Sequence, residues 1–312
     1  MRRDSGVSSA AFGAASGIAL GIALGAVSGS ACIAAARAQP PGLPVLRAHA
    51  LDATAAVKIF DPAGAVRLVG WDRDSIVVRG RVAPGERFYF GGSARGVKLG
   101  IEERVDGRDA GPSTLVVYLP RRSRLSVKTA SASITGTDVS GAFAAVSGAV
   151  RLSGTATSIE AETMGGRLDL DVIVPWVRAR AGDGALTLRG AAEDADVSTI
   201  AGTLDVDLAG VRRGRFASVT GDVRLRGAPE RDAIVELSNH AGAIDLRLPG
   251  GTAGVFDLST VAGAIENRYS PVQPVADGAG RGRTLHLELG RGGGHVTART
   301  FRGAIRLRPD RP

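Results

Sequence analysis

One short pattern returns eight times in this chain, and it leaves few folds open. Each copy carries a glycine: Gly148, Gly166, Gly184, Gly202, Gly221, Gly242, Gly263 and Gly303. Their spacings are 18, 18, 18, 19, 21, 21 and 40 residues, the last equal to two periods of 20. Two places after each glycine stands an aliphatic residue: Val150, Leu168, Leu186, Leu204, Val223, Ile244, Ile265 and Ile305. Four places after it stands another, except where Asn267 breaks the series. A near-constant period of this length signals a stack of like units, each unable to bury its apolar face alone.

Within each copy the alternation is that of a half-buried strand. Successive side chains of a strand point to opposite faces, so the two aliphatics share one side. The residue between them is polar in every copy: Arg151, Asp169, Thr187, Asp205, Arg224, Asp245, Glu266 and Arg306. The glycine marks a bend, a positive φ or a close backbone approach. Clusters such as Ala228-Pro229-Glu230-Arg231-Asp232 and Leu248-Pro249-Gly250-Gly251 separate the strands as turns.

The chain therefore reads as all-β: a parallel β-helix, or β-solenoid, with coils of about 18–21 residues, two or three strands each. Stacked coils would align the eight aliphatics into one inner ladder, each buried side chain contributing roughly 1.5–3 kcal/mol. An antiparallel β-sandwich is the alternative, since it also shows alternation and turns. Residues 39–120 are less regular and read as an N-terminal β cap with the first coils. Residues 121–310 carry the repeats, with an inserted loop at 271–283 rich in Pro and Gly.

Aromatic residues are only 4% of the chain against 44% hydrophobic, so the core must be aliphatic and small. The formal charge is +8, and all but three of the 39 basic residues are arginine. These arginines are scattered among acids, with no basic stripe or aromatic platform of the kind nucleic acid needs. The single cysteine, Cys32, excludes an intramolecular disulfide and a cysteine-based zinc site.

Residues 1–38 have the order of a secretory signal peptide: Arg2 and Arg3, an uncharged stretch from Ala10 to Val27, then Ala36-Arg37-Ala38. Cleavage after Ala38 would remove the cysteine, and would take Arg2, Arg3, Arg37 and Asp4 with it, so the remainder is slightly less basic. Gly29-Ser30-Ala31-Cys32 loosely resembles a lipidation box, with glycine where leucine usually stands. Membrane association is expected only if Cys32 is lipidated or the signal is retained. The expected location is the periplasm, the cell surface or the medium.

The runs GAVRLVGWDRDSIVVRG (64–80) and LVVYLPRRSRLSVKTASASITG (115–136), with the recurrent SGAVRLSG, VTGDVRLRG and AGAIDLRLP, resemble a bacterial putative-adhesin family of β-strand-repeat proteins. It is related to autotransporter-adhesin-like head domains. The resemblance covers about 55–310 and implies export, a β-helical fold and no known activity. Asn267 and His240 depart from its aliphatic pattern.

No catalytic constellation stands out. The four histidines, His49, His240, His286 and His295, lack zinc-helix spacing. His240 occupies the slot two before the repeat glycine, filled elsewhere by Val146, Met164, Ile200, Val219, Val261 and Phe301, and reads as a core or rim histidine. Asp169, Asp171, Asp205, Asp207 and Asp245 lie at outward spacing. Paired carboxylates of that kind support glycoside hydrolysis, but arginines alternate with them, as in ion-paired ladders on a solvated face. Gly290-Arg291-Gly292-Gly293-Gly294 lacks the Lys-Ser/Thr of a phosphate loop and reads as a turn. Trp71, Trp176 and Tyr269 read as isolated caps of the core.

The expectation is an exported, non-enzymatic envelope protein with an adhesin-like or structural role, and with no catalytic residue, cofactor or metal. Its partner would be a surface glycan or an envelope protein, and not nucleic acid. The alternatives are a polysaccharide-acting enzyme using the outward aspartates, or an envelope-stress component that binds another protein. Leu204→Asp would bury a charge in the inner ladder and should cost about 4 kcal/mol or more. A circular-dichroism melt of that variant checks it; an unchanged melting temperature contradicts the ladder.

Overall fold

Alternating apolar residues give strands that can be wetted on one side only, and their unpaired backbone groups must find partners in neighbouring strands. The computed structural model, which describes residues 42–102, 110–278 and 280–310, meets both demands with a mixed β-sheet. The export-type segment 1–38, with Cys32, lies outside the described residues. No α-helix occurs among the described residues.

The middle of the sheet is parallel, and each repeat supplies two strands. One ladder runs through Ser133–Thr137, Val150–Thr155, Leu168–Ala181, Leu186–Thr199, Leu204–Ala209, Val223–Arg226 and Ile244–Leu248. A second runs through Arg124–Thr129, Ser140–Ala145, Ile159–Thr163, Arg213–Ser218 and Ile234–Asn239. The 14-residue strands Leu168–Ala181 and Leu186–Thr199 cross from the first ladder into the second. Val150, Leu168, Leu186, Leu204, Val223 and Ile244 are successive register partners and fully buried.

The repeat glycine stands at the corner where the second ladder turns into the first. A Cβ on Gly202 would fall inside contact distance of the carbonyl oxygen of Gly184, and one on Gly184 would meet that of Gly166 in the same way. Of the three roles glycine can take, close approach is the one used here: the corners stack backbone on backbone. In six of the eight copies the residue three before the glycine is a buried Thr, Ser or Asn that bonds to the corner's polar groups; Ala145 and Ala181 stand there in the other two. Thr163 Oγ1 accepts from Gly166 N at 3.0 Å and donates to Gly148 O, one rung away, at 3.2 Å. Asn239 does the same with Gly242 N at 3.1 Å and Gly221 O at 2.8 Å. Thr199, Ser218, Thr260 and Thr300 occupy the same buried position.

Chain order and stacking order part company at both ends. The final strands, Gly294–Arg302 and Ile305–Pro309, insert between Ile234–Leu248 and the strands Gly254–Ala262 and Ile265–Asn267. The long interval between Gly263 and Gly303 therefore holds no hidden coil. It holds the loop and the strand Arg283–Leu289, which lies antiparallel on Gly254–Ala262. At the other end Ala56–Asp61 and Gly64–Trp71 sit between Gly96–Ile101 and Ser113–Pro120 on one side and residues 124–137 on the other. Antiparallel strands Leu43–Ala50, Ser75–Val82 and Phe88–Ser93 flank that end. Parallel edges that would otherwise offer unpaired amides are thus covered, except at Ile265–Asn267, which pairs only with Ile305–Pro309 among the described strands.

The interior is aliphatic, with three fully buried phenylalanines, Phe143, Phe216 and Phe256, as its largest side chains. One ionisable group is wholly buried in the N-terminal part: Asp61, which accepts a hydrogen bond from Ser113 Oγ. Burial raises its pKa to about 6; the hydrogen bonds from Ser113 and the Ala63 backbone pull it down only in part.

Gly202→Ala forces a methyl into backbone and should cost about 2–3 kcal/mol, read as a lower urea midpoint at unchanged m-value. Asp61 favours the fold while protonated, an advantage complete below pH 3.8 and lost as pH rises through about 6. Asp61→Asn should therefore stabilise the protein at pH 8 by up to about 3 kcal/mol and change little at pH 4; equal melting shifts at both pH values would contradict this.

Candidate binding face

The residue three after each repeat glycine points away from the core, and parallel register stacks these residues in one outer column. Its order is Arg151, Asp169, Thr187, Asp205, Arg224, Asp245, Arg306 and Glu266. A second outer column, five after the glycine, runs Asp171, Arg189, Asp207, Arg226, Arg247 and Arg308. The sequence reading named Asp171 and Asp207 of this column but not its arginines, which alternation extended by one more residue pair would have found.

The charges are paired in part. Arg151 and Arg167 hold Asp169 at 3.4 and 2.6 Å. Arg226 reaches Asp207 at 3.5 Å and Asp310 at 3.4 Å. Arg224, expected between Asp205 and Asp245, instead turns to Asp222 at 3.9 Å. Asp245, largely buried, takes Arg247 at 3.5 Å through Oδ2, while its Oδ1 is buried without a hydrogen-bond partner. Asp205 makes no ion pair or hydrogen bond with any described residue. These groups line one concavity of about 380 Å³, where Arg224, Arg226, Arg247 and Arg306 meet Asp205, Asp222 and Asp245.

The aromatic residues have local partners. Trp71 donates through Nε1 to Ser75 O at 2.9 Å and packs on Tyr118 at 5.5 Å. Tyr269 Oη donates to Pro249 O at 2.7 Å. Trp176, beside Arg178, lines a second concavity of about 460 Å³ with Glu193, Asp194, Arg212 and Arg213. Residues 290–293 form the turn between two strands, with Gly290 and Gly292 both at φ 64°, and Gly294 opens the second strand.

Two histidines far apart in sequence converge. Asp257 takes His286 Nδ1 at 2.7 Å and His295 Nε2 at 2.6 Å, one on each oxygen. The hydrogen bond to Asp257, then that to Glu288, raises the pKa of His286, and the bond with His286 lowers that of Asp257. The antiparallel strand Arg283–Leu289 brings His286 to Asp257 and the parallel strand Gly294–Arg302 brings His295, so no spacing rule could have found them. No group of three or more His, Cys, Asp or Glu among the described residues is placed to hold a metal ion.

The slot two before the repeat glycine does not face the core. Val146, Met164, Ile200, Val219, Val261 and Phe301 are 43–64% exposed, and His240 is exposed with its ring stacked on Phe301 at 5.1 Å. Of the two places read for His240, core or rim, the structure gives an exposed outer corner. In six copies the strand ends one residue earlier, at Ala145, Thr163, Ala181, Thr199, Ser218 or Asn239, and the chain turns there.

The sequence matches no known protein-family model and no curated protein. It is similar to solved structures described as putative adhesins. One, from Parabacteroides distasonis, is 12% identical over 85% of this chain and 97% of its own, with a TM-score of 0.42. One from Bacteroides fragilis is 9% identical over 86% and 99%, with a TM-score of 0.40. One from Parabacteroides merdae is 12% identical over 85% and 96%, with a TM-score of 0.39.

Proposed function

We propose that this chain is an exported, non-enzymatic binding protein of the cell envelope, a β-solenoid of two ladders that holds a glycan on its charged outer face. The observation that carries the reading is the concavity in which four arginines meet three aspartates. Arginine outnumbers aspartate there by four to three, and Arg226 and Arg306 reach only carboxylates outside the concavity, Asp207, Asp310 and Glu266, so its lining is net positive. Guanidinium forks match carboxylate and vicinal hydroxyl groups, which favours an acidic saccharide. The signal-like order of residues 1–38 supports export.

A hydrolase would place two carboxylates across one glycosidic bond. Asp205 and Asp245 are two rungs apart, with Arg224 in register between them. Arg224 itself turns to Asp222 and Asp245 is already held by Arg247, so the two carboxylates do not stand free across one site, which supports binding over cleavage. The enzyme reading keeps one specific observation in its favour, the unpaired Asp205 within the same concavity.

The test is a binding screen of the purified full chain against acidic and neutral polysaccharides, with reducing ends monitored. Binding of an acidic polysaccharide without new ends is expected. It should weaken at least tenfold, about 1.4 kcal/mol, in an Arg224→Ala/Arg306→Ala variant and fall with added salt. New reducing ends would replace this reading with a hydrolase centred on Asp205 and Asp245. No saccharide bound would overturn it in favour of a protein partner.

A further inference from the structure

The exposed apolar residues at the corner form one continuous stripe. Backbone hydrogen bonds fix their order: Gly165 N to Val146 O, Asp183 N to Met164 O, Ala201 N to Gly182 O, Thr220 N to Ile200 O, Ala241 N to Val219 O and Arg302 N to His240 O, all 2.8–3.1 Å. Register then sets Val261 beside Phe301. The ridge thus reads Val146, Met164, a gap at Gly182, Ile200, Val219, His240, Phe301 and Val261. Eight rungs at about 4.8 Å make it roughly 34 Å long. Exposed apolar runs of that extent mark interaction sites.

Its period restricts what can cover it. A helix laid along the ridge repeats about every 5.4 Å. One face of a strand in the same place repeats about every 6.6 Å. Either drifts out of step within a few rungs. Another stack of strands keeps step throughout. The flanking residues one before each glycine are small or uncharged at Ser147, Gly165, Ala201, Thr220, Ala241 and Ala262, so a second sheet can approach closely. The two exceptions carry opposite charges: Asp183, beside the gap, and Arg302, beside Phe301.

We infer that the stripe is a self-association surface, on which a second copy of this chain packs with its stack running the opposite way and Val219 on the two-fold axis. In that arrangement the third rung faces the seventh. Phe301 of each copy enters the gap at Gly182 of the other, and Arg302 lies against Asp183 on the same flank. Met164 faces Val261 and Ile200 faces His240. A parallel arrangement loses both matches, since Phe301 then meets Phe301 and the charged residues lie on opposite flanks.

Cysteine cross-linking in a full chain carrying Cys32→Ser tests this, because no native thiol remains. Val219→Cys should form a disulfide-linked dimer under mild oxidation. Asp183→Cys and Arg302→Cys should cross-link efficiently only when mixed, at least tenfold faster than either with itself. Val219→Arg should keep the parent melting curve and lower the dimer fraction in sedimentation at least tenfold. Cross-links within each single variant but not the mixture would overturn the arrangement. A monomer at up to about 1 mM, the weak limit of specific association, with no cross-link in any variant, would overturn the interface itself.

Discussion

Everything in this structure depends on how closely two corner backbones can approach. The strand spacing in a ladder is set by amide hydrogen bonds, and a turn stacked on a turn must keep that spacing without a side chain between. Glycine at the corner allows it, because the space a Cβ would take is already filled by the carbonyl of the rung beside it. The inward Thr, Ser or Asn three residues earlier completes the arrangement. Thr163, Ser218 and Asn239 accept from the corner amide of their own rung, and Thr163, Thr199, Asn239, Thr260 and Thr300 donate to a corner carbonyl of the neighbour. Buried polar groups without such partners would each cost about 1–3 kcal/mol. Glycine and hydroxyl therefore work as one unit.

The remaining features follow from that spacing. The core is aliphatic, with Phe143, Phe216 and Phe256 its largest fully buried side chains, which matches a chain with very few aromatics. Any parallel stack ends in unpaired strands, and this one closes each end with antiparallel neighbours. The same closure creates the cluster of His286, Asp257 and His295, and it brings Arg306 beside Asp245 rather than Glu266 alone.

Much of the local structure was legible in the sequence because strand alternation has a period of two. That the chain is all strand could be read from it, and so could the polar character of the outer column at Arg151, Asp169, Asp205, Arg224 and Asp245. The corner was not legible. A turn interrupts alternation, so no period marked the apolar Val146, Met164 and Ile200 as exposed or the polar Thr163 and Thr199 as buried. The pairing of Arg224 with Asp222 was equally hidden, since a long side chain chooses among carboxylates by local geometry rather than by register.

By itself the sequence determined the strand content, the repeat and the faces within each strand, because these depend on near neighbours along the chain. Only the tertiary structure decided the order of rungs at each end, where the last strands slip between earlier ones. A repeat has nearly the same stacking surface in every copy, so local sequence cannot say which copy lies on which. That choice is made by contacts between segments far apart in the chain, and so are the charged concavity and the exposed apolar ridge.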